Sequence, residues 1–235
     1  MFSKYGIASR TDARKEIKSG RVTVNGKRVR DPELWVSLSS DSIKWNGLNL
    51  LAQKKIYLML YKPKGVVTSH GDPEQRRTIY DLLADAEKWV FPVGRLDIDT
   101  SGLLLLTNDT KFGEELTNPL SKIPKTYQLK INLHPNPGQL KMLEGGITLK
   151  NGERTLPAKV RILRNTERHT RLQIMIVEGK NRQLRRMIEA LGGKVLKLVR
   201  TRIGSLALGD LQVGRYRKLT SQDMALLRRP PAEWE

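Results

Sequence analysis

The chain has no cysteine, which excludes disulfides, thiolate metal sites and a cysteine nucleophile. Its three histidines, His70, His134 and His169, are too scattered for metal-ligand spacing. No apolar run is long enough to span a bilayer, and the polar start Met-Phe-Ser-Lys-Tyr-Gly does not read as a signal peptide. The expected compartment is therefore the cytoplasm. There is no phosphate-binding loop, no dinucleotide fingerprint, no repeat and no heptad. Acid is scarce as well: 24 Asp and Glu stand against 43 Lys and Arg, a net charge of +19. So basic a chain is expected to meet a polyanion, with nucleic acid the first candidate and a membrane surface the weaker one. Its 235 residues allow one large domain, or a small one and a medium one, with ample core.

Residues 1–50 read as a small module. Ser9 caps a basic helix that starts near Arg10, and Gly20 stops it. Val22 to Val24 reads as a strand, Asn25-Gly26 as a tight turn, and Lys27 onward as the return strand. Ser40 to Gly47 gives another strand and turn. Arg10, Arg14, Lys15, Lys18, Arg21, Lys27 and Arg28 crowd this stretch, either as a solvated helix face or as an RNA surface. Residues 51–55 read as a linker and 56–228 as the main domain. Within it, strands are expected at Ile56–Tyr61, Leu103–Leu106, Thr126–Ile131, Ala158–Leu163, Thr170–Val177 and Val195–Val199. Helices are expected from Thr78, over Lys111–Leu116, around Leu140–Leu143 and over Gly179–Ile188. Residues 229–235 are expected to form a frayed tail.

One segment stands out: Gly94-Arg95-Leu96-Asp97-Ile98-Asp99-Thr100-Ser101-Gly102, followed by the solid run Leu103 to Leu106. The run suits a buried strand, and the glycines loosen the backbone around two acids. A carboxylate at the mouth of a core strand is a plausible catalytic group; a surface turn leading into a strand is the plainer reading.

The segment resembles the catalytic motif of pseudouridine synthases of the RsuA/RluB type, which modify ribosomal RNA. There the motif runs Gly-Arg-Leu-Asp, two variable residues, then Ser-Gly-Leu-Leu. Other blocks agree: Lys62-Pro63-Lys64-Gly65, Lys125 with Tyr127, and Gly179 to Arg202. The elements of residues 1–50 are similar in order to the S4 RNA-binding domain that precedes the catalytic domain in that family. Three departures stand against the match. Few residues precede Lys4-Tyr5-Gly6, so the module's first helix is expected to be shortened. Thr110 replaces a usual Gly, and Ser205 a common Pro.

The resemblance implies an α+β protein, a small RNA-binding domain followed by a mainly antiparallel sheet with flanking helices, and an active site in a basic cleft. It implies isomerisation of uridine to pseudouridine, with no cofactor and no metal. Asp97 becomes the catalytic carboxylate, either attacking the anomeric carbon or taking a ribose proton. A buried carboxylate needs a cation, and the family match makes that cation Arg185, with Lys180 the runner-up. Tyr127 would stack on uracil, and Leu198 would pack beside it. Arg95 would contact or replace the displaced nucleotide.

Besides the module's cations, RNA contacts are expected from Lys62, Lys64, Lys180, Asn181, Arg182, Arg186 and Arg200. The expected partner is ribosomal RNA, of the large subunit, and the expected state a monomer. Three other readings stay open: a small-subunit site, a non-catalytic RNA-binding assembly factor, and a glycosidase or nuclease using Asp97 with Asp99.

Overall fold

The computed structural model describes residues 2, 7–37, 40–50, 54–83 and 89–229. The expected start of the shortened first helix at Lys4-Tyr5-Gly6, most of the linker and nearly all of the tail lie outside these residues.

The N-terminal unit is one helix on a small sheet. Ser9 caps α1 (Arg10–Lys18) by accepting from the Asp12 amide. Four short strands follow, β1 (Val22–Val24), β2 (Lys27–Val29), β3 (Ile43–Trp45) and β4 (Leu48–Asn49), in the order β2-β1-β3-β4. Both hairpins turn on Asn-Gly pairs, Asn25-Gly26 and Asn46-Gly47, with positive φ at all four residues, as a twisted two-residue turn requires. Phe2, Ala8, Ala13, Val22 and Ile43 form its core.

The second unit is built on a nine-stranded sheet. Its strands are β5 (Tyr57–Lys62), β6 (Phe91–Val93), β7 (Ser101–Thr107), β8 (Lys125–Ile131), β9 (Lys159–Thr166), β10 (His169–Ile176), β11 (Val195–Ile203), β12 (Leu206–Ala207) and β13 (Tyr216–Lys218). The main path runs β13-β5-β7-β11-β8-β10-β9, with β12 on β11 and β6 on β7. Every ladder is antiparallel except β7 with β11.

The leucine run is the centre of β7, and Leu103 to Leu106 are all fully buried. Leu104 and Leu106 face one core with Leu58, Leu60 and Leu129. Leu103 and Leu105 face another with Met59, Phe112 and Leu116. A strand covered on both faces needs no polar alternation, which is why the run is unbroken.

Four helices flank the sheet: α2 (Thr110–Thr117), α3 (Pro137–Glu144), α4 (Gln183–Ala190) and α5 (Ser221–Arg228). Two expectations are corrected here. The segment from Thr78 forms only a short 3-10 helix, Ile79–Leu82, closed by a Thr78–Asp81 capping box. The basic segment from Gly179 does not enter its helix until Gln183, because Arg182 holds a left-handed conformation (φ 47°) at the cap position, which breaks helical continuity.

The way β7 shares one edge sets up the cleft. β6 pairs with its last part, at Leu105 to Thr107. β11 pairs with its first part, at Ser101 and Gly102. Between those contacts the ladder parts. There the guanidinium of Arg200 donates Nε–H to the Leu103 carbonyl, at 2.7 Å, meeting a backbone acceptor where no strand does.

Candidate active site

The parting of β6 and β11 opens into a cleft of about 540 Å³. Asp97 stands on its wall, in the loop between β6 and β7, with Arg95, Leu96 and Thr100 beside it. Lys125 and Tyr127 from β8 and Leu198 and Arg200 from β11 line it too, as do Glu178 to Leu184. Residues two apart on a strand share a face, so both strand pairs point the same way. The ladder sets Arg200 opposite Tyr127. The structure thus brings Asp97, Tyr127, Leu198, Arg95, Lys180, Asn181, Arg182 and Arg200 to one cavity.

The Asp97 loop is held from behind. Gly65 N–H donates to the Ile98 carbonyl at 2.7 Å. Thr68 Oγ1 donates to the Leu96 carbonyl at 2.8 Å. Lys62 Nζ donates to the carbonyls of Thr100 and Pro63 at 2.9 and 3.0 Å. This corrects the expectation that Lys62 contacts RNA. Its side chain is fully buried, and burial pulls its ammonium down to about 8 against the opposing pull of Asp97 and Asp99. The Lys-Pro-x-Gly turn buttresses the acidic loop, and only Lys64 of its two lysines is exposed.

The cationic partner of Asp97 also differs from expectation. Arg185 sits against Asp99: its Nη2 is 3.2 Å from the Asp99 carboxylate and 3.0 Å from the Asp99 backbone carbonyl. Arg182 bonds the same carboxylate at 3.3 and 3.4 Å and approaches Asp97 Oδ2 at 3.8 Å. Among the described residues Asp99 is therefore bound by two guanidiniums, while Asp97 has one long ion contact. The Asp97 side chain is part-buried, 29% exposed. Lys180, the runner-up, pairs instead with Glu153 and Glu178 at 2.9 and 3.5 Å.

The expected RNA-binding residues divide by their neighbours. Arg10, Lys15, Lys18 and Lys27 are exposed on the N-terminal unit. Arg14 and Arg21 are exposed but paired, with Glu33 and Glu16. Arg186 contacts Glu153 at 3.4 Å. Arg200 is 6% exposed and lines the cleft. Sequence reasoning missed Asp99 as the anchor of Arg185. Its signal was the two-residue spacing from Asp97. It also missed Glu178, a buried carboxylate that accepts from the Leu156 amide at 2.8 Å and from Gln183, thereby fixing the turn that carries Lys180 to Arg182.

A pocket of nucleotide size, a half-buried carboxylate in its wall, an aromatic ring and a ring of cations suit chemistry on one residue of a polyanion. A family model described as RNA pseudouridylate synthase matches residues 56–190, and an S4 domain model matches residues 3–41. The ribosomal large subunit pseudouridine synthase B of Bacillus subtilis (strain 168) is 42% identical over 231 residues, covering 97% of this chain and 93% of that one. The ribosomal small subunit pseudouridine synthase A of Vibrio vulnificus (strain CMCP6) is 38% identical over 220 residues, covering 92% and 93%. A solved structure titled as the crystal structure of pseudouridylate synthase superposes with a TM-score of 0.69 at 33% identity, covering 96% of each chain. This chain belongs to the RNA pseudouridylate synthase family, with an S4 domain ahead of its catalytic unit.

Proposed function

We propose that the protein isomerises one uridine of large-subunit ribosomal RNA to pseudouridine, acting as a monomer in the cytoplasm. The likeness to the Bacillus subtilis large-subunit enzyme along nearly the full length of both chains carries this choice of RNA. The cleft supports the roles of its residues. Asp97 is the catalytic carboxylate. Tyr127 stacks on the uracil, with Leu198 packed beside it, and Arg95, at the exposed side of the motif, meets the displaced nucleotide. Arg182 and Arg185 act through Asp99 to fix the loop on which Asp97 stands. The two units divide at residues 51–55, the first gripping RNA and the second (56–228) doing the chemistry.

In the reaction the bond from ribose C1′ to N1 breaks, the uracil turns, and a bond from C1′ to C5 forms. The C5 proton leaves and N1 gains one, so no redox partner is needed. Asp97 in its ionised form either attacks C1′ or removes the ribose proton that yields a glycal. The target must leave its stack to enter, which costs a few kcal/mol, less in a loop or bulge. Contacts to phosphates offset it.

The test is a map of pseudouridine in ribosomal RNA from cells with and without the gene, with rescue by the native chain and by Asp97→Asn. One site should vanish, return with the native protein, and stay absent with the variant, a loss of at least about 10⁴-fold in rate. A lost site in the small-subunit RNA would move the reading to that particle. Rescue by Asp97→Asn would leave a non-catalytic RNA-binding role.

A further inference from the structure

Several cations in and beside the cleft have an acid. Arg182 and Arg185 have Asp99, Lys180 and Arg186 have Glu153. Lys125, Arg200 and Arg95 do not: among the described residues no ion pair joins any of them, and of the three only Arg95 is exposed. Of the two acids that line the cavity with them, Asp97 faces Arg182, and Glu178 is taken by Gln183, Lys180 and the Leu156 amide. The Arg200 side chain is almost wholly buried. Its Nε is used on the Leu103 carbonyl, but its Nη2 is buried without a hydrogen-bond partner. Lys125 is held below the ordinary lysine range by burial and by the nearby Arg200 charge. Two like charges in a poorly hydrated wall repel and are costly to keep. The arrangement becomes favourable when an anion enters.

We propose that Lys125 and Arg200 form an anion subsite in the inner wall of the cleft, which takes a backbone phosphate of the nucleotide turned into it. The inference rests on RNA as the substrate. Both residues share a sheet face with Tyr127 and Leu198, so a base stacked on the tyrosine brings its own phosphate within reach of this wall. A backbone phosphate carries one full negative charge in the resting complex and so relieves the repulsion within the pair throughout. The uracil gains charge only transiently, and a wall built for it alone would stay unbalanced at all other times. Arg200 has a double role: its Nε closes the parted ladder while its buried, unpartnered Nη2 remains for the ligand. Both are positioning residues here.

The experiment compares uridine, uridine 5′-monophosphate and uridine 3′-monophosphate binding to the full-length protein, by NMR titration. One monophosphate should bind at least about tenfold tighter than uridine, and which one identifies the phosphate. Lys125→Met keeps the stem and removes the charge, and should erase that advantage while leaving uridine binding unchanged. Arg200→Lys should reduce it partly. Lys125 carries the decisive arm because Arg200 also holds a backbone carbonyl, and a thermal melt of each variant separates misfolding from lost binding. Equal binding of uridine and both monophosphates overturns the proposal, as does an advantage that survives Lys125→Met. A Lys125→Met chain that keeps the advantage but isomerises RNA more slowly at saturation would assign the pair to the leaving uracil instead. The readout is binding, so a wild-type chain that prefers the monophosphate yet modifies no RNA would refute the functional reading and leave the subsite standing.

Discussion

Asp97 and Asp99 lie two residues apart, yet the fold gives them different work. Asp99 is held by Arg182 and Arg185, which makes it an anchor of the loop and leaves Asp97 for the catalytic role proposed for it. Behind both sits Lys62, whose buried ammonium yields a pH effect of defined sign. Below pH 8 it is charged in the folded and the unfolded chain alike, and its desolvation weighs against the fold. From about 8 to 10.5 the unfolded chain binds more protons than the folded one, so stability rises with pH. Lys62→Met lacks that contribution. The stability of the native chain relative to this variant should climb by about 2 kcal/mol between pH 7.5 and 10, read by urea unfolding at both values. Lys125 is present in both proteins and cancels from the difference. A constant difference would mean that water or the carboxylates compensate the ammonium fully.

At the scale of elements, the sheet depends on how closely β7 and β11 approach. Gly102 has φ +115°, and a Cβ there would lie 2.2 Å from the Arg200 carbonyl oxygen. Gly102→Ala should therefore force the two strands apart at the floor of the cleft, at a loss of about 3 kcal/mol or more, with turnover falling alongside. Gly209 also has positive φ, +60°, but open space around it. Gly209→Ala should cost only about 1–2 kcal/mol, the backbone strain alone. Thermal melts of both variants separate crowding from strain, and equal losses would refute the close-approach argument.

This contrast bears on what could be read in advance. The leucine run, the Asn-Gly turn at residue 25, the hairpin of β9 and β10 and the cleft position of Asp97 and Tyr127 follow from local pattern or motif. The burial of Lys62 and Arg200, the choice of Asp99 as partner of Arg185 and the left-handed Arg182 do not. The first three are decided by segments tens of residues away, such as Thr100 against Lys62 or Leu103 against Arg200, and a lysine at a turn reads the same in sequence whether it points out or in.

At the scale of the whole molecule, a net charge of +19 makes RNA binding strongly salt-dependent, and the pairing of individual cations decides which ones contribute. A cation already neutralised by a protein carboxylate releases little counterion when RNA arrives. Lys15, Lys18 and Lys27 are exposed on the N-terminal unit with no ion pair among the described residues, whereas Arg14 and Arg21 are bound to Glu33 and Glu16. Replacing the three lysines by Gln should flatten the slope of log affinity against log salt by about 2, at roughly 0.7–0.9 per lost phosphate contact. Replacing Arg14 and Arg21 by Gln should change it far less. Filter binding from 50 to 200 mM salt measures both, and single-turnover rates at saturating RNA provide the control. Those rates should stay at the native value in either set, because the chemistry belongs to a cleft walled by the second unit. An unchanged slope in the triple-lysine variant would place the RNA on another face. A lowered saturating rate would mean that the first unit helps present the uridine as well as hold the strand.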